Sequence, residues 1–113
     1  MTATQKHIEI VSFIKQVGVS LRHLGSGEYG LRKNDALRVL DDLCHNDTFP
    51  LGIELWKKKA DSYWLEAELG WYSPHGKDLK ECCQSAKRYI NGGEVGDLDL
   101  LTIQFSGNPA SPE

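Results

Sequence analysis

Apolar residues spaced three and four positions apart predict three amphipathic helices in this chain. The first stripe runs past Gly18, a residue that weakens a helix, so we expect the helix to end or bend there. The second helix is predicted over about 34–45. The third begins after Asp78, whose carboxylate suits the N-cap position, and ends near Gly92. The three stripes consist of Ile10, Phe13, Ile14, Val17 and Leu21; of Leu37, Leu40 and Cys44; and of Leu79, Cys82, Cys83, Ala86, Tyr89 and Ile90.

Alternating apolar and polar residues predict three strands, over 51–57, 62–69 and 98–105. The first two are separated by the short turn 58–61 and form a hairpin. The element order ααββαβ predicts an α+β fold, a small three-stranded antiparallel sheet with three helices. A right-handed crossover through the third helix places the first strand in the centre, in the order three-one-two. The helices then cover one face of the sheet and leave the other partly uncovered.

The hairpin and the loop after it concentrate aromatic residues and carboxylates. We expect Trp56 and Trp64 on the face opposite Ile53 and Leu65, pointing away from the helices. Tryptophan and tyrosine carry much of the binding energy at protein interfaces, although large aromatics also pack small second cores. The candidate contact residues are Trp56, Trp64, Trp71, Tyr72, Glu54, Glu66 and Glu68, with Asp41, Asp42 and Asp47 at the end of the second helix as a second acidic patch.

Composition and charge exclude several classes of protein. The 113 residues are 40% hydrophobic and 26% charged, as in ordinary globular domains, so we expect one domain over 1–105 and a flexible tail over 106–113. A net charge of −3 argues against non-specific nucleic-acid binding. No apolar run is long enough to span a membrane, and the first residues do not resemble a signal peptide. These features predict a cytoplasmic protein.

The three cysteines, two of them adjacent, are a poor disulfide framework, so we expect reduced thiols, which also fit a cytoplasmic protein. Cys82 and Cys83 lie on a helical apolar stripe, which favours burial in the core over zinc binding or nucleophilic catalysis. Neither a metal site nor a cofactor is expected. No catalytic signature is present, and we predict that the chain is not an enzyme.

The region 35–105 resembles a family of small bacterial proteins. A helix and a short turn lead into the strand 51–54, Leu-Gly-Ile-Glu; the pair Trp71-Tyr72 follows the hairpin; and a helix ending over 85–90, Ser-Ala-Lys-Arg-Tyr-Ile, precedes a last apolar strand. This pattern resembles immunity protein family 40 of bacterial polymorphic toxin systems. Glu54 stands at a position where the family often has aspartate.

The resemblance implies a non-enzymatic inhibitor that binds a cognate protein toxin in the cytosol of the producing cell. An acidic, aromatic surface suits a basic toxin cleft, because opposite charge accelerates association and aromatic anchors give affinity. Two alternatives stay open: a small hydrolase or ligand-binding enzyme that uses Glu54, Glu66 or His75, and a structural accessory subunit. Either a monomer or a dimer is compatible with the sequence.

Overall fold

The computed structural model describes residues 3–106, with side chains from Gln5 onward, so most of the predicted tail (106–113) lies outside the described residues. Three α-helices form where the apolar periodicity predicts them: α1 (Ala3–Val17), α2 (Lys33–His45) and α3 (Leu79–Ile90). Helix α3 begins as expected, since Asp78 Oδ1 accepts a hydrogen bond from the Glu81 amide at 2.8 Å. These caps and stripes are local features, which is why the sequence predicts them.

Helix α1 ends one residue before Gly18. The Gly18 amide donates to Ile14 O at 2.8 Å, and a side chain at position 18 would collide with that oxygen and with Tyr29 Cβ. The chain therefore turns away here. Leu21, which we assigned to the helical stripe, lies beyond the helix and is fully buried in a separate cluster.

The described residues contain six strands rather than three. They are β1 (Val19–Ser20), β2 (Tyr29–Gly30), β3 (Pro50–Lys59), β4 (Ser62–Leu65), β5 (Trp71–Tyr72) and β6 (Leu100–Phe105). The first two form a small two-stranded sheet, and the other four form the main sheet. The α+β class, the three helices and the antiparallel pairing are confirmed, while the predicted count of three strands is wrong.

Strand β3 is the centre of the main sheet. It pairs antiparallel with β6 along one edge and with both β4 and β5 along the other. The hairpin turn is Ala60–Asp61, with Ala60 at a φ of 53°. This two-residue turn pairs Lys59 with Ser62 and so sets the register of the whole hairpin.

The two faces of β3 differ in what covers them. Ile53 and Leu55 are fully buried on the face that packs against α2 and α3, which we call the helix face. Gly52, Glu54 and Trp56 point to the opposite side, because side chains alternate along a strand. The chain between α1 and α2 folds back over part of that side, and the backbone of Leu31 bridges to Leu101 at 2.7–2.8 Å.

A disulfide joins α2 to α3, contrary to the expectation of reduced cysteines. Cys44 and Cys83 are bonded, with 6.3 Å between their Cα atoms. Both residues lie on the apolar sides of their helices, so packing the two helices together brings the sulfurs into contact. Cys82 is a free, buried thiol. Within the described range, no helix is both long and apolar enough to cross a membrane.

Candidate functional site

Trp56 and Trp64 lie on opposite faces of the sheet, which corrects the expectation that both point outward together. The register pairs Trp56 with Leu65 and Lys57 with Trp64, and directly paired residues share a face. Trp56 is 6% exposed and packs against Leu21 and Leu100. Trp64 is 60% exposed at the sheet edge, on the same face as Lys57. Trp56 therefore builds a second small core, and Trp64 is free to contact a partner.

Trp71 is half-buried and held in place by the core, so it is not an exposed contact residue. Trp71 lies in β5, where it pairs with Ile53 of β3, and its ring packs against the main core. Its indole Nε1 donates to Ser85 Oγ on α3 at 2.9 Å. This hydrogen bond ties the edge strand β5 to helix α3. Trp71 thereby fixes the position of its neighbour Tyr72.

Tyr72 and Leu65 are exposed on the side of the sheet away from the helices. Tyr72 pairs with Gly52, and its ring lies beside the position that a Gly52 side chain would occupy. Tyr72 is 67% exposed and Leu65 is 42% exposed. Neither the phenol of Tyr72 nor the indole of Trp64 has a hydrogen-bond partner among the described residues. These polar atoms are available to a binding partner.

Two carboxylates meet between Tyr72 and Leu65. Gln104 Nε2 donates to both oxygens of Glu28, at 3.1 and 3.0 Å, and to Glu54 Oε1 at 3.4 Å. Thr102 Oγ1 also donates to Glu54 Oε1, at 3.2 Å. We call Glu28, Glu54, Leu65, Tyr72 and Gln104 the open face. Glu28 escaped the sequence analysis because it lies in a glycine-rich loop, far along the chain from its partners, with no periodic signal.

Burial of Glu28 raises its pKa above the usual value of 4.5, and the negative charge of Glu54 adds to the rise, while the hydrogen bond from Gln104 opposes it. The pair borders a cavity of about 500 Å³, formed by residues 24–28 on one side and by Glu54, Trp56 and Leu65 on the other. The open face is thus an acidic depression with apolar and aromatic walls.

Glu66 and Glu68 lie apart from this depression. The Glu66 amide donates to Leu55 O, and its carboxylate pairs with Lys59 Nζ at 2.8 Å, so its charge is already neutralised near the hairpin edge. Glu68 is exposed in the 3₁₀ turn Ala67–Leu69 between β4 and β5. The structure therefore does not place these two carboxylates around the tryptophans.

The acidic residues at the end of α2 form no continuous surface with the open face. Asp41 makes an ion pair with Lys87 across the seam between α2 and α3. Asp42 is half-buried, and Asp47 is exposed with a φ of 52°. Because α2 packs on the helix face of the sheet, a partner that covers the open face does not reach them.

Two further residues, Asp99 and Tyr89, form hydrogen bonds that hold the strands and the turn next to the site in place. Asp99 accepts hydrogen bonds from Lys57 Nζ at 2.8 Å and from the amides of Lys58 and Gly96 at 2.9 and 2.7 Å. Burial raises the pKa of Asp99, but these three donors outweigh burial and leave the pKa below its usual value. The Tyr89 hydroxyl donates to Leu69 O at 2.6 Å and so fixes the 3₁₀ turn before β5.

The residues of the enzymatic alternative do not converge. Glu54 lies in the acidic depression, Glu66 pairs with Lys59 on the other side of the sheet, and His75 is exposed in the loop before α3. Among residues 5–106, no group of three or more His, Cys, Asp or Glu side chains is arranged to hold a metal ion.

Comparisons of the chain with protein-family models, with curated proteins and with solved structures give no match.

Proposed function

We propose that this chain is a non-catalytic binding protein that neutralises a protein toxin by covering it with the open face. One observation carries the proposal: the exposed Leu65 lines a depression that holds two carboxylates, and the exposed Tyr72 lies on the same side of the sheet, opposite Gly52. Large aromatic groups beside a cavity are typical anchors of protein interfaces. The resemblance to immunity protein family 40 supports the same function, since it concerns the segment that supplies Glu54, Leu65 and Tyr72.

The charge of the open face indicates a basic partner. Glu28 and Glu54 share one amide donor, so a lysine or arginine side chain from a partner would relieve the repulsion between them. The chain as a whole carries a net charge of −3, which favours rapid association with a basic protein. Toxins that act on nucleic acids or nucleotides carry such basic clefts.

The contact residues that we propose differ from those expected from the sequence. Leu65, Glu28 and Gln104 join Glu54 and Tyr72 on the open face. Trp56 forms part of the wall of the depression, and Trp71 anchors the strand that carries Tyr72. Two other exposed residues expected from the sequence, Trp64 on β4 and Glu68 in the 3₁₀ turn, are contacts only for a partner that extends around the edge of the sheet.

A growth assay tests the proposal. The chain is co-expressed with candidate toxin domains, and protection is compared between wild type, Glu54→Lys/Tyr72→Ala and Glu81→Lys. Glu81 is an exposed acid on α3, so its replacement changes charge without touching the open face. We expect protection by the wild type and by Glu81→Lys, and loss of protection by the double variant. Full protection by the double variant would remove the open face from the function.

A second candidate is an acid–base hydrolase, favoured by the contact between Glu28 and Glu54. Two carboxyl groups that share a site are pushed to different pKa values, which separates an acid from a base. The isolated chain is screened for hydrolysis of ester, glycoside and phosphodiester substrates, together with Glu54→Gln. Turnover that disappears in Glu54→Gln would replace the binding proposal with a catalytic one.

The Cys44–Cys83 disulfide bears on the cellular compartment in which the protein acts. The expectation of a cytoplasmic protein rested partly on reduced thiols, and the Cys44–Cys83 bond removes that support. Disulfides persist mainly in oxidising compartments. The redox chemistry of this bond therefore bears directly on where the protein acts.

A further inference from the structure

The Cys44–Cys83 disulfide closes a loop that contains most of the proposed binding surface. The loop runs over 44–83 and includes β3, β4 and β5, and with them Glu54, Leu65 and Tyr72. Glu28 and Gln104 come from outside the loop. A bond between α2 and α3 thus restricts the segment from which three of the five open-face residues are presented.

The disulfide is open to attack from solvent. A cavity of about 340 Å³ lies directly at the bond and is lined by both cysteines, by His45 and by Lys80 and Lys87. Cys44 is the more exposed of the two cysteines: it is half-buried, whereas Cys83 is only 6% exposed. Lys87 is paired with Asp41, so Lys80 is the cationic side chain at the entrance that attracts an anionic thiol reagent and stabilises a departing thiolate.

We propose that Cys44–Cys83 is a thiol-exchange site through which the redox state of the surroundings controls the stability of the segment carrying the open face. A thiolate attacks Cys44 Sγ, the sulfur–sulfur bond breaks, and Cys83 leaves as a thiolate, so that Cys44 carries a mixed disulfide. A second thiolate then attacks the sulfur of the reagent and releases Cys44 as a thiolate. The reagent leaves as its own disulfide, having given up two electrons. Only the regulatory meaning of this chemistry rests on the proposed function.

The first experiment counts thiols on the full chain without any partner. Alkylation under denaturing conditions, read by mass spectrometry, should label only Cys82 in the oxidised protein. After native treatment with dithiothreitol it should label three cysteines. Three labelled cysteines before reduction, or no reduction until the chain is unfolded, would overturn the proposal. Cys82→Ala is the control and should leave the reduction of the disulfide unchanged.

The second experiment measures what reduction does to the fold. Restricting the unfolded chain is the main way in which a disulfide stabilises a protein, so reduction should raise the unfolding equilibrium constant in urea by about 30-fold or more. An unchanged constant would show that the bond controls nothing. Cys44→Ser/Cys83→Ser should match the reduced wild type, and if that variant does not fold, the wild-type comparison decides alone.

The third experiment tests whether Lys80, at the cavity beside the disulfide, attracts anionic thiols. Lys80→Glu should slow reduction by glutathione, an anionic thiol, by about threefold or more, and should not slow reduction by cysteamine, a cationic thiol. Arg22→Glu, the same charge change in the segment on the opposite side of the sheet, should leave both rates unchanged. Equal rates for glutathione in wild type and Lys80→Glu would remove Lys80 from the exchange site. Because no partner takes part, these results are independent of whether the toxin proposal holds.

Discussion

Gln104 Nε2 donates to the carboxylate of Glu28 and lies 3.1 and 3.0 Å from its two oxygens. This contact fastens the loop before β2 onto β6 and keeps the Glu28 carboxyl next to Glu54. The position is costly for a charged group, since burial and the neighbouring charge both raise the pKa of Glu28. The open face therefore stores a repulsion that a basic partner would relieve.

Replacing Glu28 with glutamine should stabilise the free protein at neutral pH. The folded pKa lies above the usual 4.5, so the folded state binds more protons between the two values and loses stability as pH rises through the folded pKa. Urea unfolding should show Glu28→Gln more stable than wild type by about 0.5–1 kcal/mol at pH 7.5. The difference should vanish at pH 4. Glu68→Gln, at an exposed carboxylate, is the control and should leave the free energy of unfolding unchanged at both pH values.

Replacing Asp99 with asparagine should destabilise the fold by about 2 kcal/mol, because three hydrogen bonds, one of them from a lysine, then meet a neutral group. The pKa of Asp99 is below its usual value of 3.8, so its contribution is complete above that pH and is lost as pH falls through the folded pKa. Urea unfolding at pH 7 measures the effect. The matched change Asp97→Asn, at an exposed neighbour, should be neutral, and equal losses in both variants would contradict the role given to Asp99.

Replacing Tyr89 with phenylalanine should cost about 1 kcal/mol near pH 7, since the hydrogen bond to Leu69 O is lost. Burial raises the pKa of Tyr89 to about 12, with help from Glu94 and Asp99. Wild type therefore loses stability relative to the variant as pH rises above 10. An absorbance titration should show a phenol that ionises near pH 12 in wild type and is absent from Tyr89→Phe. Tyr72→Phe should keep both the stability and the late ionisation.

The two tryptophans of the hairpin should respond very differently to truncation. Trp56→Ala removes the largest side chain of the second small core and should cost about 3 kcal/mol or more. Trp64→Ala removes an exposed side chain and should change stability by no more than about 0.5 kcal/mol. Urea unfolding of both variants is the measurement. Similar losses at the two positions would mean that the hairpin register is not the one described here.

The sequence predicts the parts of this fold that repeat over several residues. Helices α2 and α3 and strands β3 and β6 each show enough apolar periodicity to be located. Strands β1, β2 and β5 have two residues each, too few for any alternation to appear. They form because longer elements hold them in place, as Trp71 illustrates with its bond to Ser85 on α3.

The site was harder to predict than the fold, because it depends on register and on contacts between distant segments. The pairing of Lys59 with Ser62 across a two-residue turn sends Trp56 and Trp64 to opposite faces, and the composition of the hairpin does not reveal that turn. Glu28 reaches Glu54 only after the loop before β2 closes over β6. The bond between Cys44 and Cys83 likewise depends on helix packing that the spacing of 39 residues does not show.

The affinity of the isolated chain for a toxin domain that it neutralises in the growth assay tests the central claim most directly. Calorimetry at fixed ionic strength should give one-to-one binding by wild type and by Glu81→Lys. The same measurement on Glu54→Lys/Tyr72→Ala should show an affinity at least about 30-fold weaker, the loss of an interface anchor, while the variant remains folded. Equal affinity for all three proteins, or no binding by the wild type, would contradict the account.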